Sequence, residues 1–166
     1  MKIARLIFLF FTTSLFISCI GEDLAGADLM VGDSIPEFVV TMNNGDVVTS
    51  KMLSEGVSCI VFFHTTCPDC QQLLPVLQQV YDEYSSAGVS FALISREEED
   101  ETISQYWQEC GFTLPYSPQK DRNVYELFAQ MRVPRVYLNK DGIIRSVFTD
   151  DPVPGYDDLK SALENL

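Results

Sequence analysis

Two cysteines separated by two residues, Cys67 and Cys70, are the side chains of this chain best placed to do chemistry. They follow the apolar run 59–63 and begin a long helical pattern. Positions three apart lie on one side of a helix, so the two sulfurs come within reach of a disulfide bond. Cys67 caps the helix, where free amides and the helix dipole favour an anion. This predicts an attacking thiolate at Cys67, with Cys70 placed to resolve a mixed disulfide.

The elements around this motif alternate between strands and helices. Apolar runs at 58–63 and 89–94 are typical of strands buried on both faces. The predicted order is a β-hairpin at 38–49, a strand at 58–63, a helix at 68–86, a strand at 89–94, helices at 97–110 and 123–131, a hairpin at 135–149 and a helix at 156–166. This order predicts an α/β fold, a three-layer sandwich around a mixed sheet. The acidic run 97–101 suits a helix N-terminus and predicts a solvated face.

The N-terminus has the pattern of a targeting segment. An apolar stretch behind Lys2 and Arg5 is too short to span a membrane and is typical of a signal peptide. Its end, Phe16-Ile17-Ser18-Cys19, resembles a bacterial lipoprotein signal, in which Cys19 would carry the lipid. A competing cleavage site at Ala25-Gly26-Ala27 would release a soluble protein, and an uncleaved anchor is the third alternative. All three predict an extracytoplasmic domain, and the lipoprotein signal predicts one held at a periplasmic or outer membrane.

The mature chain is one acidic domain. We divide the sequence into a signal peptide at 1–18, a tether at 19–33 and a domain at 34–166, long enough for a sizeable core. Cleavage of the signal peptide would remove Lys2 and Arg5, two of the 11 basic residues. The mature chain would then have 24 acidic and 9 basic residues, a net charge of −15. Nucleic acid is therefore excluded as a partner, because binding it requires many Lys and Arg residues.

Three motifs at matching separations are similar to one known family. They are Phe62 to Cys70 (FFHTTCPDC, with Pro68 and Asp69 between the cysteines), Pro75 in the following helix, and Arg132-Val133-Pro134-Arg135 before a strand and a turn at Asp141-Gly142. Together they resemble the thioredoxin-fold family, and more narrowly the extracytoplasmic TlpA/ResA-type thiol–disulfide oxidoreductases. The hairpin around Asn43-Asn44-Gly45 also resembles an addition typical of this family. The similarity covers residues 31–166.

The resemblance implies a fold, a reaction and a substrate site. The fold would be thioredoxin-like, a three-layer α/β/α sandwich with a mixed central sheet and an added N-terminal hairpin. A cis Val133–Pro134 bond would face the cysteines, and extended substrate backbone could pair beside it. The chain would exchange disulfides with exported proteins, most often as a reductase and without a cofactor. A lipid-anchored form would need a transmembrane thiol carrier as its electron donor.

The sequence departs from the family at two positions. Val61 stands where many thioredoxins have a buried carboxylate, so proton transfer to Cys70 must use another group or water, with Asp69 and His64 as candidates by proximity. Arg135 follows the proline, where small polar residues are common. We hypothesise that Arg135, together with Arg132, lies near Cys67 and favours its thiolate. The plain alternative is a solvated arginine without a redox role.

Two other functions remain open at this point. A peroxidase related to the peroxiredoxins is one, although His64 stands where those enzymes usually have threonine. Metal binding or copper delivery is the other, with His64, Cys67 and Cys70 as ligands and Cys59 or Cys110 as a fourth. We expect no metal, because the chain lacks a second Cys-x-x-Cys and has a single histidine. The default expectation for Cys59 and Cys110 is buried, inert thiols, and a second disulfide is the alternative.

Overall fold

The computed structural model describes residues 27–166; the predicted signal peptide at 1–18 and the lipidation site at Cys19 lie outside the described residues. The elements are β1 Val39–Thr41, β2 Val47–Thr49, α1 Ser50–Leu53, β3 Val57–Phe63, α2 Pro68–Tyr84, β4 Ser90–Ser95, α3 Asp100–Cys110, β5 Tyr116–Ser117, α4 Asn123–Glu126, β6 Arg135–Lys140, β7 Ile143–Phe148 and α5 Tyr156–Glu164. Between residues 27 and 166, none of the helices has the length and apolarity needed to cross a bilayer.

The central sheet has five strands in the order β5-β4-β3-β6-β7. The middle strand, β3, pairs in parallel with β4 and antiparallel with β6. At the edges, β5 is parallel to β4 and β7 is antiparallel to β6. Strands β1 and β2 form a separate antiparallel hairpin. The predicted α/β class, mixed sheet and added hairpin are therefore confirmed.

The core explains how the cysteine motif is positioned. All residues of β3 after Val57 are buried, as expected for a central strand covered on both faces. Helix α2 buries one stripe of apolar side chains and packs beside α5. Its first turn contributes Cys70 to the same buried cluster. The N-terminus of α2 is thereby fixed next to the carboxyl end of β3, where open α/β sheets commonly bind ligands.

Two elements differ from the sequence predictions. Strand β5 was not predicted, because its two residues lie between Pro115 and Pro118 and are too few to show alternation. Helix α4 ends at Glu126 rather than at residue 131. The Gln130 N–H donates to the Asp28 carboxylate at 2.8 Å instead of to a helical carbonyl, so the helix does not continue to residue 131.

The described part of the predicted tether lies against the domain. The Leu29 N–H donates to the Phe128 carbonyl at 2.8 Å, and the Gly32 N–H donates to the Ile144 carbonyl at 2.9 Å. The Ile144 N–H in turn donates to the Asp33 carbonyl at 2.9 Å. These bonds attach residues 29–33 to the segment after α4 and to β7.

Candidate active site

Cys67 lies where the sequence predicts it, at the N-cap of α2. Pro68 occupies the first helical position, where a missing N–H costs no hydrogen bond. The Cys67 N–H donates to the His64 carbonyl at 3.1 Å, which closes the turn before the helix. The half-buried Cys67 thiol donates to the Val133 carbonyl at 3.3 Å. The structure thus brings the first cysteine of the motif against the predicted substrate loop.

Cys70 lies behind Cys67 and is fully buried. Burial raises the pKa of the Cys70 thiol well above its ordinary value, and the adjacent Cys67 thiol raises it further. A hydrogen bond with the His64 backbone and the positive charge of Arg96 lower it. The raised pKa favours the neutral thiol form of Cys70. The half-buried Asp69 lies between the two cysteines in the first helical turn.

The loop opposite Cys67 has the geometry that the resemblance implies. Its Val133–Pro134 bond is cis, and Val133 presents its carbonyl to the Cys67 thiol. The residue before it, Arg132, has its own carbonyl bound by the Tyr125 hydroxyl at 2.7 Å. We call Met131–Arg135 the cis-proline loop.

Arg135 does not extend into solvent. Its side chain is only 11% exposed, and its Nη2 lies 2.6 Å from the Asp28 carboxylate. The same nitrogen donates to the Met131 carbonyl at 2.9 Å. Asp28 therefore offsets the positive charge that the sequence suggested for the surroundings of Cys67. Arg132 also pairs with a carboxylate, that of Asp150, at 3.2 Å.

Sequence reasoning missed Arg96, which directly follows β4. Its N–H donates to the Phe63 carbonyl at 2.8 Å, at the end of β3. Its guanidinium lies 5.5 Å from the centre of the Tyr125 ring, and that of Arg122 lies 5.4 Å from the same ring. Such contacts between guanidinium and ring are attractive. Parallel pairing of β3 with β4 is the feature that signals this placement, because it brings the ends of both strands to one edge.

Sequence reasoning also missed Glu98, and the prediction of a solvated acidic face is wrong for this residue. Only 6% of Glu98 is exposed, and its N–H donates to the Gln119 carbonyl at 2.7 Å. Its carboxylate accepts hydrogen bonds from the backbone N–H and the hydroxyl of Thr65. The His64 Nδ1 lies 3.7 Å from the same carboxylate. The turn after β4 directs Glu98 towards residues 64–66, which precede Cys67. The hydrogen bonds to Thr65 then hold the Glu98 carboxylate in this buried position.

A cleft of about 480 Å³ lies beside the cis-proline loop. Most of the residues around it are polar or charged, although their apolar atoms contribute much of the surface. The residues around it are Asp28, Gln130, Met131, Arg132, Arg135, Thr149, Asp150 and Asp151. The exposed Met131 offers an apolar contact at the rim. The cleft has room for side chains of a polypeptide bound at the loop.

The remaining cysteines are separate from the motif. Cys59 is buried in β3, and burial raises its pKa to about 12. Cys110, at the end of α3, is exposed, so the expectation of a buried thiol is wrong for it. His64 directs its Nδ1 towards Thr66 and Glu98. Across residues 27–166, no three side chains of His, Cys, Asp or Glu are grouped to hold a metal ion.

The sequence of this chain matches a family model and is similar to several known proteins of one name. A sequence model described as the AhpC/TSA family matches residues 31–152. A thiol-disulfide oxidoreductase ResA from Oceanobacillus iheyensis is 26% identical over 136 residues, 76% of this chain and 70% of the relative. A ResA from Bacillus thuringiensis is 24% identical over 133 residues, 77% of each chain.

Solved structures agree on the fold. The thioredoxin domain of a thiol-disulfide oxidoreductase from Bacteroides vulgatus aligns with a TM-score of 0.71 at 20% identity, over 83% of this chain and 98% of that domain. StoA from Bacillus subtilis aligns with a TM-score of 0.67 at 16% identity, over 78% of this chain and 97% of that one. The thioredoxin-like fold is thereby confirmed.

Proposed function

This chain belongs to the AhpC/TSA family, and from that premise we propose that it is a thiol–disulfide oxidoreductase using Cys67 and Cys70. The observation that carries the proposal is the hydrogen bond between the Cys67 thiol and the Val133 carbonyl, with Cys70 buried behind it. An accessible sulfur at a helix N-terminus and a protected second sulfur have the two properties that disulfide exchange needs. The ResA relatives, themselves named thiol-disulfide oxidoreductases, support the same reaction.

The exchange proceeds in two steps. The Cys67 thiolate attacks one sulfur of a substrate disulfide, that bond breaks, and the first substrate sulfur leaves as a thiolate. Cys70 then loses its proton and attacks the Cys67 sulfur of the mixed disulfide. The second substrate sulfur leaves, so the substrate gains two electrons and two protons while Cys67 and Cys70 become a disulfide. The high pKa of Cys70 keeps this thiol protonated while Cys67 attacks.

The substrates are exported proteins that bind at the cis-proline loop. Extended substrate backbone pairs next to Val133 and Pro134, the residues that face Cys67. Arg135 supports the loop through its ion pair with Asp28 and its hydrogen bond to the Met131 carbonyl. Side chains next to the substrate cysteine occupy the cleft beside the loop.

The N-terminal sequence supports a proposal for the cellular setting. We propose that residues 1–18 are a signal peptide and that Cys19 carries a lipid, which anchors the domain outside the cytoplasm. The alternative is cleavage at Ala25-Gly26-Ala27, which would release a soluble periplasmic protein. The enzyme acts as a reductase, and a transmembrane thiol carrier returns electrons to its disulfide.

Trapping the mixed disulfide tests the proposal. A Cys70→Ser variant keeps the attacking thiol but cannot release the substrate, so we expect it to accumulate a covalent complex with insulin under non-reducing conditions. The matched Cys67→Ser variant should form none. Both are made in a Cys110→Ser background, because Cys110 is exposed. A complex formed equally well without Cys67 contradicts the assignment.

A thiol peroxidase is the second candidate, because a thiol at a helix N-terminus with a second cysteine behind it is also an arrangement that can react with a peroxide. In that reaction the Cys67 thiolate would attack a peroxide oxygen, release the alcohol or water, and become a sulfenic acid that Cys70 resolves. Consumption of hydrogen peroxide with dithiothreitol as reductant distinguishes the two. Turnover that depends on Cys67 supports the peroxidase, and its absence together with insulin reduction removes it.

A further inference from the structure

Asp28 bonds to both ends of the segment that carries the substrate loop. Its Oδ1 accepts the Gln130 N–H at 2.8 Å, just before the cis-proline loop begins. Its Oδ2 accepts Arg135 Nη2 at 2.6 Å, at the last residue of the loop. Asp28 is 107 positions away from Arg135 in the sequence, so this is a tertiary contact rather than part of a local turn.

The arginine at the end of the loop depends on this carboxylate. The Arg135 side chain is 11% exposed, and among residues 27–166 Asp28 is the one carboxylate within 4.0 Å of it. A buried guanidinium without a counter-ion is strongly disfavoured. The same nitrogen also binds the Met131 carbonyl at 2.9 Å, so the ion pair holds the backbone at the start of the loop as well.

The loop between these two points faces the reactive sulfur. Val133, two residues before Arg135, accepts the hydrogen bond from the Cys67 thiol. Arg132 is held by the Tyr125 hydroxyl in a left-handed conformation that non-glycine residues rarely adopt. Asp28 and Tyr125 therefore fix the loop from two sides.

We propose that Asp28 is a positioning residue, which holds the cis-proline loop in the shape that receives a polypeptide substrate. The proposal rests on the function proposed above. A protein substrate must pair with the backbone of the loop, whereas a small aromatic disulfide needs only to reach Cys67. Asp28 therefore raises the rate of exchange with protein substrates far more than the rate of exchange with small disulfides.

The test compares two substrates in variants of the full chain. We expect Asp28→Ala to lower kcat/KM for insulin roughly tenfold or more, mainly through KM, because the docking geometry is lost. Reduction of dithiobis(nitrobenzoate) should change less than about threefold. Asp28→Glu, which keeps the charge, should recover part of the insulin activity. Asp33→Asn is the matched control, since Asp33 lies in the same segment and bonds to Met30 of that segment.

A readout that does not depend on catalysis separates the two proposals. Amide hydrogen exchange of a peptide covering 131–137 should become faster in Asp28→Ala, while a peptide covering α5 stays unchanged. Unchanged exchange, or an equal loss with both substrates, overturns the role of Asp28. A wild-type protein that reduces neither substrate refutes the proposed function instead, and the exchange experiment still decides whether Asp28 holds the loop.

Discussion

Glu98 binds Thr65 through both oxygens of its carboxylate. Oε2 accepts the Thr65 N–H at 3.0 Å, and Oε1 accepts the Thr65 hydroxyl. On its other side, the Thr65 carbonyl accepts Gln71 Nε2 at 2.8 Å. The segment that leads into Cys67 is therefore held by the turn after β4 and by α2 together. This contact adds to the local backbone hydrogen bond of the same segment, which runs from the Cys67 N–H to the His64 carbonyl.

Removing the Glu98 carboxylate should destabilise the protein. Glu98→Ala leaves a buried backbone N–H of Thr65 without an acceptor, which costs about 1–3 kcal/mol in the free energy of unfolding. Glu98→Gln keeps one acceptor oxygen and should cost less. Urea unfolding measures both. The control is Glu101→Ala in the same acidic run, where exposure predicts a change within about 0.5 kcal/mol; equal losses at the two positions would contradict the account.

The buried thiols predict that the reduced protein loses stability at alkaline pH. Burial raises the pKa of Cys59 to about 12 and raises that of Cys70 as well. A cysteine thiol in the unfolded chain has a pKa of about 8.5. The contribution of each buried thiol to the free energy of unfolding is fully present at pH values below that pKa. It decreases at pH values above that pKa, because the unfolded chain loses a proton that the folded chain keeps. The slope is about 1.4 kcal/mol per pH unit for each thiol.

Urea unfolding with reductant from about pH 7 to about pH 10 measures this slope. Cys59→Ala and Cys70→Ala should each remove from the slope the contribution of one thiol. Cys110→Ala should leave it unchanged, because Cys110 is exposed. A slope that responds to Cys110 and not to the two buried cysteines would refute the explanation.

The Arg135 hypothesis predicts a change in the reactivity of Cys67. On this hypothesis, iodoacetamide should alkylate Cys67 more slowly in Arg135→Ala than in wild type, and the change should be modest because Asp28 already offsets part of the charge. Arg145→Ala on β7 is an exposed control and should not change the rate. An identical rate for Arg135→Ala leaves that arginine with a purely structural role.

Arg96 should speed the second step of exchange. Its charge lowers the pKa of Cys70, so Arg96→Gln reduces the fraction of Cys70 thiolate. We expect the mixed disulfide with insulin to persist several-fold longer, but less than about tenfold, because burial and not Arg96 has the main influence on the pKa of Cys70. Quenched-flow mass spectrometry follows this lifetime. Arg122→Gln is the matched control, because Arg122 contacts the same Tyr125 ring; a longer lifetime in both variants would assign the effect to Tyr125 instead.

The features that local sequence encodes were predicted well. The N-cap position of Cys67, the proline after it and the helix that follows depend on residues within one turn of each other. The two hairpins are specified by their turn residues. The cis Val133–Pro134 bond was expected from the resemblance.

The features that were missed depend on contacts between distant residues. Glu98 is 33 positions from Thr65, and Asp28 is 107 positions from Arg135. In the sequence, Glu98 is one of several acidic residues at a helix N-terminus, and Asp28 is one of several in a tether. Glu98 differs from the other acidic residues of its run because the parallel pairing of β3 with β4 brings it to Thr65. Asp28 differs from the other acidic residues of the tether because residues 28–33 lie along the domain.

Native alkylation mapping tests the central claim most directly. In a Cys110→Ser background, reduced and folded protein is treated briefly with iodoacetamide and the modified sites are located by mass spectrometry. We predict alkylation at Cys67, protection of Cys70 and Cys59 until denaturant is added, and loss of Cys67 labelling after oxidation. A Cys67 that stays unlabelled in the reduced protein, or labels equally after oxidation, would contradict the account.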